Sequence, residues 1–216
     1  MREQIIKTVY EKKIIAIVRG VYGEDCEKLA RALHAGGIDL IEVTFDQAHP
    51  EDYEKTCAAI SRINEVFQGE VLAGAGTVTT PELVEMAHKA GAKYIISPDT
   101  NPAVIRRTRE LEMVSMPGAM TPSEVMEAYR TGADFVKLFP MANLGVGYLK
   151  AVRAPLNQVP ILVVGGVNEK NLGEFMAAGA CGAGVGGNLV NKQWIKEGRF
   201  DDITALAREF IKAANA

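Results

Sequence analysis

Two charged side chains sit inside apolar, strand-like runs: Lys137 in GADFVKLFP and Glu42 in IDLIEVTF. Neither residue type is often fully buried alone, because desolvating an ionised group is costly. Two chemistries account for such a pair. A structural ion pair between Lys137 and Glu42 would neutralise both. Alternatively, apolar surroundings lower the pKa of the amine, and a neutral amine is a nucleophile toward carbonyls. A carboxylate facing it would then be a proton shuttle tuned toward neutrality. The residues alone leave both readings open.

Strand alternation places Lys137 on the same face as Phe135 and Phe139, so an inward lysine is flanked by aromatic surface. Arg19, at the end of IIAIVR, either holds a carboxylate or phosphate by charge-assisted hydrogen bonds or reaches solvent. Gly165-Gly166 and Gly186-Gly187 follow two late apolar runs. Glycines there let backbone N–H groups approach an anion, unless they are ordinary turns. Gly182, Gly184 and Gly187 also spell G-x-G-x-x-G, but the chain after them is too short for a second strand bearing a ribose-binding acid.

These residues need elements to bring them together. Apolar runs occur at 14–19, 38–45, 71–76, 93–98, 112–117, 134–140, 160–166 and 181–187. Between them lie amphipathic stretches such as TPELVEMAHKAGA and TPSEVMEAYRTGA. Several open with an N-cap Thr or Asn and an N1 proline, and most close with glycine. Eight strand–helix units in alternation predict a parallel sheet closing into a compact (β/α)8 TIM barrel, with an extra helix at 1–12. A doubly wound open sheet is the structural alternative. In a barrel the C-terminal strand ends share one mouth, so Arg19, Glu42 and Lys137 converge there.

The 216 residues suit one barrel domain over 1–216, and carry 24 basic against 27 acidic side chains. With no basic stripe and few aromatics, nucleic acid and anionic membranes are poor partners. The opening MREQIIKTVYEKK is too charged for a signal peptide, and no apolar run reaches membrane-span length. Cys26, Cys57 and Cys181 suit a reducing cytoplasm better than a disulfide framework. His34, His49 and His88 are scattered and do not make a metal ligand set.

The ordered set EVTF, LAGAGTV, YIISP, PGAMTPSE, VKLFP and VVGGVN resembles the class I 2-keto-3-deoxy-6-phosphogluconate / 4-hydroxy-2-oxoglutarate aldolases. The resemblance runs from about Ile14 to the end of the chain. It implies a small barrel, a homotrimer, a keto-acid substrate, and neither metal nor organic cofactor. It implies Lys137 as the Schiff-base lysine, Glu42 as general acid/base and Thr77 as holder of the pyruvate carboxylate. Pro98 and Phe139 match pocket walls, Gly165, Gly166, Gly186 and Gly187 the phosphate end, and Arg19 an arginine at the mouth. Asn188 stands where a phosphate-binding serine is usual, Asp46 where many members have a carboxylate-binding arginine, and Val164 where many have threonine. These departures predict that phosphorylated aldols remain substrates with a reduced advantage over short ones. The rival functions are a phosphate-binding barrel isomerase or phosphosugar enzyme without imine chemistry, and a non-catalytic ligand-binding barrel.

Overall fold

Each apolar run becomes a strand of one parallel sheet. The structure is a computed structural model and describes residues 2–216; Met1, within the expected helix 1–12, lies outside the described residues. The chain runs α1 (Arg2–Lys12), β1 (Ile14–Val18), α2 (Gly23–Ala35), β2 (Leu40–Thr44), α3 (Tyr53–Phe67), β3 (Leu72–Gly76), α4 (Pro81–Lys89), β4 (Tyr94–Ile96), α5 (Pro102–Glu110) and β5 (Val114–Met116). It continues through β6 (Gly118–Ala119), α6 (Pro122–Thr131), β7 (Val136–Leu138), α7 (Met141–Arg153), β8 (Ile161–Val164), α8 (Leu172–Ala177), β9 (Gly182–Val185), α9 (Lys192–Lys196) and α10 (Phe200–Ala214).

The strand order is β5-β4-β3-β2-β1-β9-β8-β7-β6, with every neighbour parallel. β5 lies in the fifth run, 112–117, and β6 continues it just past that run's end, the two being split at Pro117, which has no N–H to give to a ladder. β5 pairs with β4 and β6 with β7, while the Pro117 carbonyl accepts from the Lys137 N–H at 2.9 Å. The ring therefore closes across this proline, as a barrel and not as the open sheet. The short α9, beyond β9, is an element the sequence pattern did not announce.

Helix starts follow the cap signals. The Thr80 side chain accepts from the Leu83 N–H, and Thr121 with Glu124 forms a reciprocal capping box. Each such cap is worth about 0.5–2 kcal/mol.

Two cores result. One lies between the strands and the helical ring, with Leu29, Leu33, Ile60, Val84 and Phe210 fully buried. The other fills the barrel itself with Ile15, Leu40, Tyr94, Val114, Met116, Phe135 and Leu162, and α1 plugs its base with Ile5 and Val9. Burying such side chains contributes about 1.5–3 kcal/mol each. Asp134 fastens the plug: it accepts from Arg2 of α1, from Arg109 at 2.8 Å and from the Ser115 N–H at 2.9 Å. The lower barrel is thus packed with side chains. The upper end, where the strands terminate, is open.

Candidate active site

A cavity of about 920 Å³ opens at that end. It is lined by Arg19, Glu42, Thr77, Pro98, Lys137, Phe139, Gly165, Gly166, Gly186, Gly187 and Asn188, so the residues the sequence assigns to catalysis and substrate binding meet there. Val164 lines it too. Asp46 does not. Its carboxylate accepts the Ala48 N–H at 3.0 Å and closes its own loop.

Lys137 is 8% exposed and Glu42 2%. Phe135, below Lys137, is sealed in the barrel core with its ring 5.1 Å from that of Tyr10. Phe139, above it, faces the mouth, and the Lys137 ammonium lies 5.0 Å from its ring centroid. The flanking aromatics thus divide: one forms part of the floor, the other part of the rim.

Burial pushes the Lys137 amine below its ordinary pKa and the Glu42 carboxyl above its own. Each partly offsets the other's shift by charge attraction, while the Arg19 cation favours neutral Lys137 and ionised Glu42. The direct ion pair left open by the sequence is not formed. Among the described residues, Lys137 has no carboxylate oxygen within 4.0 Å, and Glu42 Oε2 is buried without a hydrogen-bond partner. The two groups sense each other without touching, which leaves both available to a third group between them.

Inner-face glycines of β3 create the room. A Cβ on Gly76 would meet Glu42 Oε1 at 1.7 Å, and one on Gly74 would meet the Tyr94 ring at 2.1 Å. Sequence reasoning assigned these two no role, although alternation in LAGAG puts both on one face. Thr77, next along, has φ +56°, a left-handed conformation that β-branched residues avoid. Gln47, also unforeseen, braces this turn by donating to the Thr77 carbonyl at 2.9 Å, and accepts from Thr79 and Tyr53. Strain held by surrounding contacts is characteristic of positions that must aim a group.

On the opposite wall Gly165 and Gly166 have φ +90° and +76°, and a Cβ on Gly166 would strike Ala142 of α7 at 2.6 Å. Nothing lies within 4 Å of a Cβ on Gly187, so the cavity is open beside it. Asn188 donates its side-chain N–H to the Val167 carbonyl at 2.8 Å and ties the two glycine turns together. Among the described residues no group of three or more His, Cys, Asp or Glu could hold a metal. None of the described helices is long and apolar enough to cross a membrane.

A parallel barrel with a buried lysine and carboxylate at its strand ends defines an enzyme-like scaffold of the TIM class. A family model described as KDPG and KHG aldolase matches residues 5–206, and the chain belongs to that family. The chain is 36% identical over 180 residues to a probable 2-dehydro-3-deoxy-6-phosphogalactonate aldolase of Rhizobium meliloti, covering 83% of this chain and 82% of the relative. It is 33% identical to the 2-dehydro-3-deoxy-phosphogluconate aldolase of Treponema pallidum, covering 96% of each. Among solved structures, the Legionella pneumophila KDPG aldolase with pyruvate captured as a covalent carbinolamine superposes with a TM-score of 0.83. The two are 30% identical, with 94% of this chain and 96% of that one covered.

Proposed function

We propose that this protein is a class I aldolase that cleaves 2-keto-4-hydroxy acids, 2-keto-3-deoxy-6-phosphogluconate and/or 4-hydroxy-2-oxoglutarate, to pyruvate and an aldehyde. One observation carries the reading. Lys137 and Glu42 are buried, unpaired with each other, and face one cavity.

Neutral Lys137 attacks the C2 carbonyl, and the resulting carbinolamine loses water to give an iminium. Thr77 holds the C1 carboxylate. Glu42 takes the C4 hydroxyl proton, directly or through a water, as the C3–C4 electron pair moves into the iminium. The aldehyde leaves and an enamine remains on Lys137. Glu42 returns its proton to C3, and hydrolysis of the iminium frees pyruvate and the amine. Pro98 and Phe139 wall the reacting carbons, Arg19 adds positive charge, and the glycine turns with Asn188 receive the far end of the substrate.

The same reading extends to a single barrel domain acting as a cytoplasmic homotrimer. It is supported by the family resemblance. Pyruvate release from the gluconate-derived aldol, its galactonate-derived counterpart and 4-hydroxy-2-oxoglutarate, followed by a coupled dehydrogenase, tests the activity. Release from at least one is expected. No release from any of them would overturn the reading.

A further inference from the structure

The cavity is much larger than a three-carbon keto acid on Lys137 would fill, and its remaining wall is cationic. Lys192, the first residue of α9, lines it on the side of the strand end that carries Arg19. Its ammonium lies 3.5 Å from the Cβ position of Gly20, so the side chain folds back across the loop after β1. Asn191 caps the helix that carries it, its carboxamide oxygen accepting from the Gln193 and Trp194 N–H groups at 2.9 and 3.1 Å. Among the described residues neither Arg19 nor Lys192 has an acidic oxygen within 4.0 Å. Among the described residues Glu42 is the one acid lining the cavity, and it is buried in the barrel.

The geometry points to Lys192 as a specificity-determining residue that recognises a distal phosphate on the aldol substrate. This rests on the aldolase reading above and deepens it. The charge distribution favours a group that is strongly anionic and remote from the reacting carbons. Asn188 spends one side-chain N–H on Val167, and Val164 has none, so Lys192 adds a charged donor to those left at this end. A lysine meets phosphate as a point charge with three donors and needs no fixed fork geometry. The reduced phosphate advantage expected from Asn188 and Val164 is therefore offset by a residue in neither motif.

The test compares wild type, Lys192→Ala and Lys192→Arg on two aldols that differ only in phosphate, 2-keto-3-deoxy-6-phosphogluconate and 2-keto-3-deoxygluconate. Lys192→Ala is expected to cut the kcat/KM preference for the phosphorylated aldol at least about tenfold, mainly through KM, the scale of one charged hydrogen bond. Lys192→Arg is expected to restore most of it. Binding of inorganic phosphate, measured by calorimetry, is expected to weaken in Lys192→Ala by a similar factor. An unchanged preference together with unchanged phosphate binding overturns the assignment, as does an equal loss on both aldols. Borohydride trapping of pyruvate on the wild type separates the two levels: if it fails, the aldolase reading falls, while the calorimetry still decides whether Lys192 binds phosphate.

Discussion

Oε1 of Glu42 lies 1.7 Å from where a Cβ on Gly76 would stand, so the carboxylate occupies the space that any other residue there would fill. A glycine on β3 thereby sets the position of an acid on β2. Gly76 has no left-handed φ, so alanine is acceptable to the backbone and the closest clashes all fall on Glu42.

Gly76→Ala should therefore behave as a displaced Glu42. Turnover is expected to fall by about 10²–10⁴-fold, the usual contribution of a positioned acid–base group. Circular dichroism should remain that of a folded barrel. Turnover close to wild type would show that the carboxylate moves aside without consequence.

Glu42→Gln removes the proton shuttle and keeps the shape. The variant should still accumulate imine with pyruvate, more slowly, while aldol cleavage drops by about 10²–10⁴-fold. Single-turnover trapping set beside steady-state cleavage separates the two steps. Equal losses in both would make Glu42 a requirement of imine formation itself.

The pH dependence has a fixed sign. Burial lowers Lys137 below its ordinary 10.5, and only the free amine attacks. As pH falls through that lowered value the ammonium takes over and imine formation slows, so its rate against pH should inflect below 10.5. Burial raises Glu42 above 4.5, so cleavage acquires a further acid limb as the base is protonated. Glu42→Gln should lose that limb. An imine-formation inflection at the ordinary lysine value would contradict the buried-amine account.

The base of the barrel should govern stability and not chemistry. Ile5→Ala, in the α1 plug, is expected to cost about 2–5 kcal/mol, the range for a buried isoleucine truncated to alanine, with pyruvate trapping retained. Denaturant unfolding and trapping on the same sample check this. Loss of trapping in a variant that remains folded would link the plug to the mouth.

Much of this architecture was legible in the residues. Regular apolar runs with cap signals gave eight units, and two charges inside such runs marked the site. What escaped depends on three-dimensional contact. The break at Pro117 is a property of ring closure, and Gly74 and Gly76 gain meaning only from Tyr94 and Glu42 arriving beside them. Gln47 and Lys192 sit in loop and short-helix sequence with no periodicity to place them. The ion pair remained open because separation, not residue type, decides whether Lys137 and Glu42 touch.

The central claim is that the amine of Lys137 forms the imine. Reduction with borohydride in the presence of pyruvate, followed by peptide mass spectrometry, tests it directly. The account predicts a single reduced pyruvate adduct on Lys137 in the wild type and none in a folded Lys137→Arg variant. An adduct on another lysine, or an adduct that persists in Lys137→Arg, would contradict it.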